Sequence, residues 1–184
     1  SYPGEKPIFS GGRRLTGWTR DGNRLRLVIP EVRDGTWRFE QLFVNGERRY
    51  RPRLPKDGYY QIEAEAAPSP AAQGKGHDRF VFRDGDIRAD WANRDAVGVL
   101  CFQSWTMARL RIKEVDTASR TVQFAAPTLS AVWFFALNQG GRYIVENVRE
   151  ALTEPGEWYL DARTGVLEYL PRAGERPERL DVRA

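Results

Sequence analysis

Residues that build cross-links and catalytic sites are scarce in this sequence, which has one cysteine, one histidine and one methionine among 184 residues. The single cysteine, Cys101, excludes an internal disulfide framework. It lies in the apolar segment 97–102, so we expect a small buried side chain and not a reactive thiol. His77 stands alone in a loop segment, so the chain lacks a histidine pair or a Ser-His-Asp arrangement with a second candidate base.

Long apolar runs are missing as well. No stretch approaches the ~20 apolar residues that a membrane-spanning helix needs, and we expect no contact with a membrane. No signal-peptide pattern is present, and the chain begins with Ser-Tyr-Pro-Gly-Glu and not with methionine. We therefore interpret the sequence as a piece of a longer protein.

Lysine is rare, occurring only at positions 6, 56, 75 and 113, so the net charge of +4 comes mainly from arginine. A basic balance can indicate nucleic-acid binding. Here, however, the arginines are dispersed and alternate with acidic residues, and the densest cluster, 48–53, has no recognisable nucleic-acid-binding motif around it. Mixed charge of this kind is typical of a solvated surface, and we expect no nucleic-acid partner.

Short segments with a period of two dominate the chain, as expected for strands whose side chains point alternately to two faces. The clearest are 25–29, 37–44, 79–82, 108–115 and 121–124, the last two forming a predicted hairpin. Many short strands between Gly, Pro, Asn and Asp turns are typical of an all-β fold. We predict one β-sandwich domain over residues 1–184, with about 8–12 antiparallel strands and one or two short helices.

Three segments depart from the alternating pattern. Apolar residues at 144, 148, 151 and 152 recur at helical spacing before Pro155-Gly156, which predicts a short helix over 144–152. The segment 131–137 is apolar throughout and suits a central strand. The Pro/Ala/Gly-rich segment 66–76 is predicted to be a mobile loop within the domain.

A second hairpin is predicted between Pro155 and Pro171. Two runs rich in aromatic and β-branched residues, 158–160 and 166–170, flank the turn segment 161–165, whose glycine supplies the positive φ of a bulged turn. Three further motifs accompany it: Y-P-G-E-K-P at 2–7, F-V-N-G at 43–46 and E-N-V-R-E-A-L at 146–152. In this combination and order they resemble one segment of the large bacterial right-handed parallel β-helix glycosidases, glycoside hydrolase families 120 and 141.

The resemblance covers residues 2–171 and implies a β-sandwich that interrupts the early coils of a β-helix. The partner would then be the parallel β-helix of the parent chain, in a secreted or periplasmic enzyme acting on xylan-type or fucosylated plant polysaccharide. Because the catalytic acids of those families lie on the coils, the isolated domain is expected to be inactive. Residues 2–7 and 180–183 should lie close together, since an inserted domain leaves and re-enters its host at neighbouring points.

Aromatic residues are abundant, with six Trp, seven Tyr and nine Phe. Those inside strand patterns are predicted to be core side chains: Trp37, Phe39, Phe43, Phe80, Phe82, Trp133 and Phe135. Four others, Tyr59, Tyr60, Trp91 and Trp105, have polar neighbours that a core would not favour. Because sugar rings stack their C–H faces on flat side chains, we predict these four as carbohydrate-binding residues, with burial in the core as the alternative for each.

Arg53, in the run R-P-R-L-P at 51–55, is a fifth candidate. A similar run in the resembled enzymes borders the groove between the sandwich and the β-helix, which implies a polar anchor for a sugar. The alternative is a surface arginine that contacts the absent β-helix.

Acidic residues provide weaker candidates. Asp84, Asp86 and Asp90 could share a calcium ion, but their spacing matches no EF-hand loop and turn capping is the preferred interpretation.

We predict no cofactor and no catalytic residue. The predicted function is a non-catalytic carbohydrate-binding or accessory module. The alternatives are a purely structural insertion that packs on the β-helix, and a glycoside hydrolase or lyase in its own right.

Overall fold

A computed structural model describes Gly4 and residues 10–184, and within these residues the regular secondary structure is mainly short strands in antiparallel pairs. The sixteen strands of this part are β1 (Arg14–Leu15), β2 (Thr19–Asp21), β3 (Arg24–Val28), β4 (Leu42–Val44), β5 (Glu47–Arg49), β6 (Arg53–Leu54), β7 (Tyr60–Gln61), β8 (Ala64–Glu65), β9 (Arg79–Val81), β10 (Gly98–Phe102), β11 (Met107–Asp116), β12 (Thr121–Phe124), β13 (Arg142–Glu146), β14 (Trp158–Asp161), β15 (Val166–Tyr169) and β16 (Val182–Arg183). The helical segments are α1 (Pro30–Arg33) and five 3-10 turns: Pro70–Ala72, Arg94–Ala96, Trp133–Phe135, Arg149–Ala151 and Pro177–Arg179. The all-β prediction is confirmed, although the strands outnumber the 8–12 expected because many are only two or three residues long.

Two four-stranded sheets pack face to face and form the sandwich. Their strand orders are β1-β16-β4-β5 and β14-β15-β3-β2. Apolar residues from both sheets, such as Val44 and Val182 from one and Leu25 and Trp158 from the other, meet in one buried cluster. The half-buried rings of Trp37 and Phe39 cover its edge.

The third sheet has eight strands, in the order β6-β13-β10-β11-β12-β9-β8 with β7 also paired with β13, and it curls around a second core. The segment 60–65 joins its two sides. Ile62 N–H donates to the carbonyl of Gly141, just before β13 (2.8 Å). The next residue, Glu63, donates its N–H to the carbonyl of Val81, at the end of β9 (2.9 Å). The curled sheet therefore encloses its own apolar interior, which includes the predicted core residues Phe80 and Phe82.

Both predicted hairpins are present, and glycine is required in the second. β14 and β15 pair from Trp158–Tyr169 to Asp161–Val166, and Gly165 closes the turn with φ +71°. A Cβ at Gly165 would lie 2.4 Å from the Ile29 carbonyl oxygen. The F-V-N-G motif forms a further hairpin between β4 and β5, since Asn45 and Gly46 both have the positive φ of a type I′ turn.

Two sequence predictions of secondary structure are wrong. Residues 144–152 do not form a helix: 142–146 is strand β13, and only Arg149–Ala151 makes a single 3-10 turn. Of the apolar positions at helical spacing, only Ile144 lies in a strand, opposite Leu100 of β10, whereas Val148 and Ala151 reach the core of the curled sheet from the segment after β13. The segment 131–137 is not a central strand but carries the 3-10 turn Trp133–Phe135 at the surface.

The E-N-V-R motif links the two halves of the molecule. Asn147, with φ +62°, donates its amide to the carbonyls of Ala96 (3.2 Å) and Leu160 (3.4 Å). Two residues later Arg149 makes two hydrogen bonds to the buried carboxylate of Glu168 on β15, at 2.9 and 3.0 Å. These contacts hold the curled sheet against the sandwich.

The described ends of the chain lie side by side. β1 pairs with β16, and Arg13 N–H donates to the Ala184 carbonyl (2.7 Å). The motif at 2–7, apart from Gly4, lies outside the described residues.

The loop 66–76 is tied to the curled sheet, because the buried carboxylate of Asp78 accepts from both the backbone N–H and the hydroxyl of Ser69. In the described part of the chain, no helix is long and apolar enough to span a bilayer.

Candidate functional site

A group of exposed aromatic side chains lies at one end of the curled sheet. Trp105 is 74% exposed, Trp133 67% and Tyr59 46%. Together with Phe102 and Phe134, which they contact, these residues form what we call the aromatic surface. Large exposed rings that touch one another are unusual on a solvated surface and commonly indicate a binding site.

The turn between β10 and β11 positions Trp105. Gln103 N–H donates to the Thr106 carbonyl (2.9 Å) and closes the turn, while the Gln103 side-chain amide donates to the Phe135 carbonyl. This second bond ties the turn to the 3-10 segment Trp133–Phe135. As a result, the Trp105 ring lies 4.9 Å from that of Phe134 and 6.1 Å from that of Trp133.

Tyr59 lies at the other side of the same surface. Its ring meets Phe102 edge to face, with the centroids 5.1 Å apart. The guanidinium of Arg142 lies 4.9 Å from the centre of the Tyr59 ring and stabilises it by a cation–π contact. Tyr59 is therefore held in place by contacts that leave almost half of it exposed.

A cavity of about 250 Å³ opens between these two parts of the surface. Phe102 and Arg142 line it on one side, and Trp133 and Phe134 on the other. Exposed polar side chains at the cavity, Ser104, Asn138 and Gln139, make no side-chain hydrogen bond with the residues described. Flat rings beside free hydroxyl and amide groups can bind a sugar, whose two faces are apolar and whose edge carries hydroxyls.

Arg53 and Tyr60 are engaged within the fold. Arg53 donates through Nε to the Pro55 carbonyl (2.9 Å) and through Nη2 to the Gly58 carbonyl, so its guanidinium holds the 55–58 turn beneath Tyr59. Tyr60 is half-buried against Tyr143, 5.5 Å between ring centres. Burial, together with the charge of nearby Asp86, raises the pKa of Tyr60.

The prediction of Trp91 as an exposed ring is wrong. Trp91 is only 5% exposed and belongs to the core of the curled sheet. The polar groups next to it in sequence have partners of their own: Asp90 pairs with Arg88 at 2.6 Å, and Ala92 N–H donates to Glu150 at 2.9 Å. The ring cannot stack on a sugar in this fold.

Trp133 is the reverse case, because it was predicted as core and is exposed. Phe102, Trp133 and Phe134 are the aromatic-surface residues that sequence reasoning missed. Phe135, also predicted as core, is only half-buried, and Phe43 is 36% exposed. Nothing within the run 131–137 distinguishes it from a central strand, since both would be apolar and aromatic.

The three candidate calcium ligands are not brought together. Asp86 is buried and accepts a hydrogen bond from the Tyr143 hydroxyl (2.8 Å), and burial raises its pKa. Asp90 is held by Arg88, which lowers its pKa. No group of three or more His, Cys, Asp or Glu side chains arranged to bind a metal occurs among the residues that the structure describes.

Comparison with known proteins identifies related domains. The family model described as the GH141 insertion domain matches residues 26–172. A solved structure titled "Glycoside hydrolase" matches with a TM-score of 0.65 and 24% sequence identity, over 95% of this chain and 31% of that chain. The chain thus spans about a third of that protein's length, and at this identity the likeness shows the fold alone. No protein of curated function matches the sequence significantly.

Proposed function

Because the chain belongs to the family of GH141 insertion domains, we propose that it is a non-catalytic module that binds the polysaccharide substrate of a glycoside hydrolase. The aromatic surface is its binding face. The observation that carries this proposal is the exposure of Tyr59, Trp105 and Trp133 beside one cavity: Trp133 lines it, while Tyr59 and Trp105 contact its lining rings Phe102 and Trp133. The parent chain would contribute the β-helix and its catalytic acids, and the polysaccharide would be of the xylan type or fucosylated.

The composition of the cavity supports a binding role without catalysis. Glycosidases use two carboxyl groups about 5 to 10 Å apart on either side of the scissile bond. Within the described residues the cavity is lined by aromatic, aliphatic, thiol, amide, hydroxyl and arginine side chains, and no aspartate or glutamate. Such a lining can orient a sugar but cannot protonate a leaving group or activate water.

A second candidate function is a structural insertion that packs against the parent's catalytic domain. It is favoured by aliphatic and thioether side chains next to the aromatic surface in sequence: Leu129 is 82% exposed, Met107 48% and Val132 45%. These side chains suit a protein partner better than a sugar, because they offer no flat ring. If this function is correct, the aromatic surface is buried in the full-length enzyme.

Replacing Trp105 or Trp133 by alanine is expected to weaken binding to xylan, arabinoxylan or xyloglucan by about 1–3 kcal/mol, roughly 5- to 150-fold. Each change removes a stacking platform. The melting temperature should stay nearly unchanged, since both rings are mostly exposed. Calorimetry and affinity electrophoresis on gels containing each polysaccharide measure the effect. Cellulose is included to test how wide a range of polysaccharides the domain binds.

Tyr50→Ala is the matched control, because Tyr50 is a 64% exposed ring that neither lines the cavity nor contacts a ring of the aromatic surface. Its removal should leave binding unchanged. If no glycan binds at millimolar concentration, the result favours the second candidate function, a structural insertion, over glycan binding. If binding persists without both Trp105 and Trp133, the aromatic surface is not the binding site.

A further inference from the structure

A second cleft, of about 430 Å³, lies between the curled sheet and the sandwich. Strands β10, β11 and β13 form one wall, through Gly98, Arg109, Arg111 and Glu146. The segment 38–40 and the β14–β15 turn, with Ala162 and Arg163, form the other. The cleft shares no lining residue with the cavity of the aromatic surface.

Arginine dominates the charge of this second cleft, which we call the arginine cleft. Five arginines line it, Arg38, Arg51, Arg109, Arg111 and Arg163, against three acidic residues, Glu40, Asp95 and Glu146. Among the described residues, the ion pairs of the cleft engage only Arg51 and Arg109. A concave surface with excess charge of one sign concentrates ligands of the opposite sign.

Arg51 is the most buried of the five, with 13% of its side chain exposed. Its guanidinium lies over the Trp158 ring (5.0 Å) and donates from Nη2 to the Phe39 carbonyl (3.3 Å). Nη1 is 3.6 Å from Glu146, and the buried Nε has no partner among the described residues. Burial lowers the pKa of Arg51, and the negative charge of Glu146 offsets this lowering only in part.

A second buried donor at the cleft, Asn93 Nδ2, makes no hydrogen bond of good geometry in the described part of the chain. The carboxylate of Glu146 is engaged, because its Oε1 lies 2.6 Å from Arg109 Nη1 in an ion pair. Buried polar groups in native proteins are nearly always paired, so each such atom calls for a ligand or water. Here two donors, Arg51 Nε and Asn93 Nδ2, are left open at the same cleft.

We propose that the arginine cleft binds a carboxylate-bearing sugar residue, a uronic acid of an acidic polysaccharide. The planar guanidinium groups match a carboxylate in shape and charge. Glu40, Asp95 and Glu146 accept hydrogen bonds from hydroxyls, which a uronic acid has and an acidic peptide lacks. The cleft also falls in the size range of about 300–1,000 Å³ that is usual for small-ligand sites. This inference goes beyond the proposed function, since it uses charge at a different surface and not stacking.

The test is titration calorimetry of the 184-residue chain with trigalacturonate at low ionic strength. The fully methyl-esterified trisaccharide, which is neutral, should bind at least about tenfold more weakly. Arg111→Gln combined with Arg163→Gln should weaken trigalacturonate binding by about tenfold, because both are exposed and have no acidic partner within the described chain. For the same reason this double variant should fold normally, which thermal denaturation checks.

Arg20→Gln combined with Arg48→Gln is the matched control: it removes the same two charges from exposed positions of β2 and β5 that do not line the cleft. An equal loss in this variant would mean that net charge alone attracts the ligand and would overturn the proposal. Equal affinity for the acid and its ester, or tighter binding of penta-aspartate than of trigalacturonate, would overturn it too. Binding of neutral xylan by the double variant reports the aromatic surface separately, so failure of one site is distinguishable from failure of the other.

Discussion

Replacing Trp91 by alanine is expected to lower the free energy of unfolding by about 3–5 kcal/mol, the usual cost of removing a buried tryptophan. Trp91 is 5% exposed and packs in the core of the curled sheet with Ile87 and Val97. The substitution removes its apolar contacts and leaves a cavity that the surrounding strands can fill only in part. Urea denaturation followed by far-UV circular dichroism measures the effect.

Trp105→Ala is the matched control, since the same side chain is lost from a position that is 74% exposed. Its cost should be under about 1 kcal/mol, as for most surface substitutions. Equal destabilisation by the two changes would contradict the burial of Trp91 and the exposure of Trp105, and with it the placement of the binding face.

Glu175→Gln is expected to destabilise the protein by about 3 kcal/mol at neutral pH, because it removes the charge that compensates a buried arginine. The side chain of Arg49 is 3% exposed and that of Glu175 9%, with 2.7 Å between Nη2 and Oε1. Glu175 also accepts hydrogen bonds from the Tyr169 hydroxyl and the Arg172 N–H. Glu47 also pairs with Arg49 but is 66% exposed, so it compensates the buried charge only weakly.

The effect should depend on pH with a definite sign. Burial alone would raise the pKa of Glu175, but the bonds from Tyr169, Arg49 and the Arg172 N–H outweigh it and lower the pKa below its usual 4.5. A lowered pKa in the folded state adds stability above the unfolded-state value, and this stability is lost as the pH falls through the folded-state value.

The stability difference between the wild type and Glu175→Gln should therefore shrink below about pH 4.5. Denaturation curves across this range measure it. Glu178→Gln, at an exposed position of the neighbouring 3-10 turn, should show no such dependence. A difference for Glu175→Gln that stays constant down to pH 2 would contradict the ion pair.

Local turn chemistry made much of the fold predictable. Both hairpins follow from alternating segments on either side of a turn, because strand pairing across a short turn depends on neighbouring residues only. The helix over 144–152 failed for the opposite reason. Its first three residues, 144–146, belong to β13, which pairs with β10 some 45 residues earlier in the chain, and the local pattern does not show this contact.

The candidate site was predictable in part. Trp105 and Tyr59 lie in turns, and their polar neighbours correctly indicated exposure. The same signal failed at Trp91, because the charged neighbours form pairs at the surface while the ring points inward. A polar neighbourhood in sequence does not specify the direction of a side chain when the backbone is irregular.

The arginine cleft could not have been found from the sequence. Its lining comes from segments near residues 38–40, 51, 93–98, 109–111, 146 and 162, which meet only when the curled sheet packs on the sandwich. The arginines are dispersed along the chain, and in sequence each has acidic or apolar neighbours like any surface residue. Only the long-range packing brings five of them into one concave surface.

The claim that the aromatic surface binds glycan is tested most directly by NMR of the six tryptophan indole N–H groups, titrated with xylohexaose. The signals of the exposed Trp105 and Trp133 should shift progressively, while those of the buried Trp91 and Trp158 should stay in place. Shifts confined to tryptophans other than Trp105 and Trp133, or no shift with any xylan- or xyloglucan-derived oligosaccharide, would contradict the account.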